Sequence, residues 1–147
     1  MCIRAIGLGW KGMELSRGFK ALKVWMSLKE HGLKKYVTLI RQNIAQAFYL
    51  EELIKRQEKL ELLTPVTMNI VCYRFIKPGL SCEQLNILNK EILMSLQERG
   101  IASPSYTILS GKYSIRVAIT NHRSRKEDFE ILVKETIKLG EQLLLGK

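Results

Sequence analysis

Residues 111–128 read Gly-Lys-Tyr-Ser-Ile-Arg-Val-Ala-Ile-Thr-Asn-His-Arg-Ser-Arg-Lys-Glu-Asp, and they begin the most informative unit of the sequence. From residue 113 to residue 120, large apolar residues alternate with small or polar ones, which is the period of two of a half-buried β-strand. Arg116 therefore lies on the side away from the apolar residues, between Ser114 and Ala118. A guanidinium with small neighbours has room to meet a carboxylate through two parallel hydrogen bonds.

A helix is predicted directly after this strand. Ser124 is a favourable N-cap, and Glu127 three residues later completes a capping box. Apolar residues then recur at helical spacing as far as residue 144. The unit is thus a strand, a short turn and a capped helix.

The sequence upstream predicts a small mixed layer of strands and helices. A second capping box, Ser81 with Gln84, opens a helix that Gly100 ends. Further strands are predicted over residues 60–63, 69–76 and 105–109. The order β-β-α-β-β-α with short turns favours an α+β fold, in which a mostly antiparallel sheet has helices on one face.

Two N-terminal helices precede this layer. The first covers residues 16–30 and ends at Gly32, a natural helix stop. The second covers residues 33–59 and would be about 40 Å long at ~1.5 Å per residue. Because this exceeds what a small compact domain requires, we interpret it as a helix that bridges two domains.

The composition excludes several classes of protein. No apolar run in the 147 residues reaches the roughly 20 needed for a membrane span. Three cysteines without C-x-x-C spacing argue against a metal site and favour a reducing cytoplasm. Residues 7–12 match G-x-G-x-x-G, but too few residues precede them for the buried strand of a dinucleotide site. We therefore interpret residues 1–13 as a leader.

The net charge of +10 has two interpretations. The basic residues are scattered, with no block of five or more, which favours a lysine-rich solvated surface or a chain that lacks an acidic partner region. Attraction to nucleic acid or another anionic surface is the alternative.

Three segments resemble the group II pyridoxal-phosphate (PLP)-dependent amino-acid decarboxylases, which include the glutamate, aromatic amino acid and cysteine sulfinate decarboxylases. Residues 16–25 resemble the family's S-R-x-x-x-A-L-K-x-W segment. Residues 71–75 are similar to its V-x-F-R strand, and residues 115–121 to its final R-x-x-I-x-N segment.

The resemblance implies a domain organisation and a site. Residues 14–59 would hold the end of the large domain and the bridging helix, and residues 60–147 the small C-terminal domain of a fold-type I enzyme, a homodimer in the family. Arg116 matches the arginine that holds a substrate carboxylate in the glutamate-type members.

The resemblance also implies what the chain lacks. PLP chemistry requires a Schiff-base lysine and an acidic partner for the cofactor ring. The family's lysine follows a histidine, and this sequence contains no His-Lys dipeptide. We expect a C-terminal fragment that binds no PLP by itself, is inactive alone and needs a large PLP-binding domain or subunit.

The sequence is also compatible with two other functions. The element order and the positive charge are compatible with a basic nucleic-acid-binding module, although the side of the last strand that carries Arg116 lacks the aromatic residues that stack bases. A regulatory or interaction domain that reuses the same sheet is the other possibility.

Overall fold

The computed structural model describes residues 18–145, which form three helices and a four-stranded sheet. The elements are α1 (Lys20–Lys55), β1 (Leu60–Leu62), β2 (Ile70–Phe75), α2 (Cys82–Glu98), β3 (Ser105–Leu109), β4 (Lys112–Ala118) and α3 (Lys126–Leu145). The α+β class and the element order are confirmed. The proposed leader, residues 1–13, and its glycine motif lie outside the described residues.

The four strands are arranged in the order β1-β2-β4-β3, and every neighbouring pair is antiparallel. In the centre of the sheet, Tyr73 of β2 lies opposite Ile115 of β4. Arg116 of β4 lies between Cys72 of β2 and Ser105 of β3. The strand that carries Arg116 is therefore an inner strand, paired on both sides.

The two predicted N-terminal helices form one element, α1, which is interrupted at Gly32. Gly32 has a φ of 72° and a ψ of 154°, a backbone conformation that only glycine adopts without strain. The predicted break is confirmed, whereas α1 ends at Lys55, four residues before the predicted end. The chain divides into two compact units, Met1–Tyr36 and Val37–Lys147.

The described part of the first unit exposes apolar side chains. Phe19 is 69% exposed, Trp25 58% and Met26 57%. The Nζ atom of Lys29 lies 5.7 Å from the ring centroid of Trp25, which gives this ring a cationic neighbour. Exposed apolar residues of this size commonly mark a surface that another polypeptide covers.

The second unit is built around one hydrophobic core on one face of the sheet. The core takes alternate residues of the two central strands, Val71, Tyr73 and Phe75 of β2 and Ile115 of β4. All three helices contribute to the same cluster, for example Leu50 of α1, Ile92 of α2 and Leu139 of α3. The helices therefore cover the same face of the sheet, as predicted.

Gly140 brings α3 into close contact with β2. A Cβ atom at this position would lie 2.7 Å from two carbon atoms of the Phe75 ring, closer than any real contact. A glycine inside a helix costs stability, and here the cost is offset by the approach of the aromatic ring.

Two asparagines of α2 form hydrogen bonds with backbone groups of the sheet, as a neighbouring strand would. Asn89 is completely buried, and its side-chain amide accepts from the Phe75 N–H at 2.7 Å and donates to the Phe75 carbonyl at 2.8 Å. Asn86 accepts from the Tyr113 N–H at 2.7 Å and donates to the Gly111 carbonyl at 2.8 Å. The two amides thus tie α2 to the ends of β2 and β4, a connection that sequence reasoning missed.

The two predicted capping boxes had different outcomes. The box of Ser81 and Gln84 is present in both directions, with bonds of 3.2 and 2.9 Å. The prediction of a box formed by Ser124 and Glu127 is wrong, because α3 begins at Lys126, one residue later than a Ser124 N-cap requires. The side chain of Asp128 accepts a hydrogen bond from the Arg125 N–H instead.

Candidate functional site

The sheet has a second face, which points away from the hydrophobic core. We call this the polar face and define it by the residues that alternate with the core positions: Glu61, Cys72, Arg74, Lys112, Ser114 and Arg116. Alternation along each strand brings these side chains to the same side. Two arginines therefore lie diagonally on neighbouring strands, and their surroundings differ.

Arg74 is buried and has its own carboxylate. Only 6% of the residue is exposed, and its Nε donates to Glu61 Oε2 at 2.6 Å. The second oxygen of Glu61 accepts from Lys112 Nζ at 2.9 Å. Burial raises the pKa of Glu61, but the hydrogen bonds from Lys112 and Arg74 outweigh it and leave the pKa below its ordinary value. Nη1 of Arg74 is buried without a hydrogen-bond partner.

Arg116 has no such carboxylate. Its Nη1 donates to the hydroxyl of Ser105 at 3.2 Å, and no acidic side chain among residues 18–145 forms an ion pair with it. The residue is half-buried, so its guanidinium is both supported and accessible. The predicted position of Arg116 on the side away from the core is confirmed by the register of the sheet.

A cavity of about 230 Å³ opens beside this guanidinium. It is lined by Ala102, Ser103, Pro104, Ser105, Arg116, Val117, Ala118 and Leu132. Most of these side chains are small, and two carry hydroxyl groups. The cavity can hold a small polar ligand that carries a carboxylate.

The residues around Arg116 do not fit pyridoxal phosphate. The lining of this cavity contains no lysine for a Schiff base and no carboxylate for the cofactor ring. Lys112, a lysine of the same strand, is paired with Glu61. We therefore assign no reaction step that involves the cofactor to the residues around Arg116.

Residues 18–145 contain neither a membrane-spanning helix nor a cluster of metal-binding side chains. No helix in this range is long and apolar enough to cross a bilayer. Within the same range, no group of three His, Cys, Asp or Glu side chains is arranged to hold a metal ion. Cys72 is a free, buried thiol on the polar face.

Comparison with known proteins now identifies the family. The family model of the pyridoxal-dependent decarboxylase conserved domain matches residues 5–76. An aromatic-L-amino-acid decarboxylase of Bacillus atrophaeus is 33% identical over 142 residues, which cover 96% of this chain. The chain belongs to the group II pyridoxal-dependent decarboxylases.

Solved structures agree with this assignment. A tryptophan decarboxylase of Catharanthus roseus, solved with L-tryptophan, is 28% identical and superimposes with a TM-score of 0.75 over 86% of this chain. Oryza sativa TDC, solved with PLP and tryptamine, has a TM-score of 0.80 at 22% identity and supports the fold alone. The chain spans only 30% of the length of the Bacillus relative and 26% of the Catharanthus structure.

Sequence reasoning identified Arg116, one of the two arginines on the polar face, as a candidate site residue. It missed the ion pairs of Glu61 with Arg74 and Lys112, because these residues are far apart in the sequence and meet only through the register of three strands. The available signal was the presence of Glu61 and Arg74 in two neighbouring predicted strands.

Proposed function

We propose that this chain is the substrate-carboxylate-binding part of a PLP-dependent L-amino-acid decarboxylase, a carboxy-lyase. The observation that carries the proposal is the contrast on the polar face, where Arg74 has an internal carboxylate and Arg116 has none. An arginine that is held in place but left without a carboxylate is suited to bind one from a ligand.

In the complete enzyme, Arg116 binds and orients a substrate carboxylate. The guanidinium is always charged and offers parallel N–H groups to both oxygens of a carboxylate. The small residues beside it, such as Ala102 and Ala118, leave space for the ligand. The electron sink for decarboxylation is the chemistry that PLP supplies when it is bound by the large domain.

The same proposal requires a second polypeptide or domain that holds the cofactor. The sequence has no His-Lys dipeptide, and the cavity at Arg116 has neither lysine nor carboxylate. The exposed apolar side chains of the first unit, including Phe19 and Trp25, would pack against that partner. We expect the chain alone to be inactive, and we place the assembled enzyme in the cytoplasm as a homodimer.

The first experiment tests whether the chain holds PLP by itself. The purified chain is mixed with PLP, diluted, reduced with borohydride and examined by mass spectrometry. We expect no aldimine absorbance that survives dilution and no pyridoxyl group at a single lysine. A stable aldimine on one lysine would contradict the need for a separate cofactor domain.

The second experiment tests the role of Arg116. The chain is co-expressed with the Bacillus atrophaeus relative truncated before its matching segment, and decarboxylation of aromatic and acidic amino acids is measured. We expect activity that neither polypeptide has alone and that Arg116→Gln abolishes. Full activity with Arg116→Gln would overturn the substrate role of this residue.

The nucleic-acid alternative receives no support from the polar face. The residues that define this face include no aromatic side chain on which a base could stack. We therefore favour a part of a decarboxylase over a nucleic-acid-binding module.

A further inference from the structure

Ser105 and Arg116 are opposite each other in the β3–β4 ladder and are joined by two hydrogen bonds. Ser105 Oγ donates to the Arg116 carbonyl at 3.2 Å and accepts from Arg116 Nη1 at 3.2 Å. A serine hydroxyl has one hydrogen to donate, so these two bonds fix its orientation. The lone pairs of the hydroxyl are thereby directed toward the guanidinium.

Ser105 is itself held by the preceding residue. Pro104 is buried, and its carbonyl accepts a hydrogen bond of 2.7 Å from Gln97 Nε2 of α2. The ring of Pro104 also restricts the backbone just before the strand begins. The start of β3 is therefore fixed to α2, and the hydroxyl of Ser105 is presented from a defined position.

The contact with Ser105 leaves most of the guanidinium available. An arginine side chain has five N–H groups, and the hydroxyl takes one of those on Nη1. The edge formed by Nε and Nη2 can still bind both oxygens of a carboxylate. The cavity of about 230 Å³ beside Arg116 provides the space for the ligand.

We propose that Ser105 is a positioning residue, which holds the Arg116 guanidinium in the orientation that binds a carboxylate. This inference rests on the proposed role of Arg116. A long side chain loses rotamer freedom when it binds, and a side chain already held in place loses less. The hydroxyl of Ser105 acts on affinity through Arg116 and does not itself need to touch the ligand.

The test uses the full chain and glutarate, a small dicarboxylate without an amino group, in calorimetric titrations. We expect Ser105→Ala to weaken glutarate binding roughly threefold to tenfold, the range for loss of one hydrogen bond. Ser105→Thr keeps the hydroxyl and should bind within about twofold of the unmodified chain, since threonine is also well tolerated in strands. Thr107→Ala, on the same strand and the same face, is the matched control and should not change the affinity.

The outcomes separate this inference from the proposed function. If the unmodified chain does not bind glutarate, or if Arg116→Gln binds it equally well, the role of Arg116 fails. If binding requires Arg116 but Ser105→Ala binds like the unmodified chain, only the role of Ser105 fails. The role of Ser105 would also be contradicted if Ser105→Thr weakened glutarate binding as much as Ser105→Ala, because loss of the hydroxyl would then not explain the weaker binding.

Discussion

Arg74 and Arg116 are on the same face of the same sheet, on neighbouring strands, and they have opposite surroundings. Arg74 is 6% exposed and its guanidinium is bonded to Glu61. Arg116 is half-buried, and among the described side chains its guanidinium is bonded to the hydroxyl of Ser105 and to no carboxylate. Burial of a charge is tolerated when a counter-charge is built in. The difference favours a structural role for Arg74 and agrees with the ligand-binding role proposed for Arg116.

The largest effect should come from removing the buried arginine. Arg74→Ala leaves Glu61 with Lys112 as its remaining partner and opens space on the polar face. We expect the free energy of unfolding to fall by about 2 kcal/mol, because the buried stem of Arg74 loses its packing while Glu61 keeps one cationic partner. Urea denaturation of the two chains measures this change. A loss below about 0.5 kcal/mol would remove the structural role assigned to Arg74.

A smaller effect should be a decrease in the free energy of unfolding as the pH falls below about 4.5. The pKa of Glu61 is lower in the folded chain than its ordinary value of 4.5, so the folded state binds fewer protons. The stabilisation is fully present above pH 4.5 and is lost as the pH falls through the lower pKa of the folded state. Unfolding curves between pH 5 and the acid limit of folding should show this slope. Glu61→Gln should flatten it, and an unchanged slope would mean that other carboxylates cause it.

The smallest effect should follow from changing the accessible arginine. Arg116→Gln removes one hydrogen bond to Ser105 and no ion pair within residues 18–145. We expect the free energy of unfolding to change by no more than about 0.5 kcal/mol. The same urea experiment applies, with Arg74→Ala as its comparison. Equal losses in the two variants would erase the distinction between a structural and a binding arginine.

The sequence predicted the strand of Arg116 and the face on which the residue lies because both follow from local alternation. It predicted the break at Gly32 and the capping box of Ser81 for the same reason, since each depends on a few neighbouring residues. The environment of Arg74 could not be predicted, because it depends on which strands are adjacent and in which register. The buried role of Asn89 also depends on where α2 packs, and a polar residue in a helix gives no local sign of it.

One experiment tests the distinction between the two arginines directly. Glutarate is titrated into the full chain while the side-chain Nε–Hε signals of Arg74 and Arg116 are followed by NMR. The Arg116 signal should move and saturate, whereas the signal of Arg74, which is already bonded to Glu61, should stay in place. Saturation of the Arg74 signal with no change at Arg116 would contradict the assignment of the binding role.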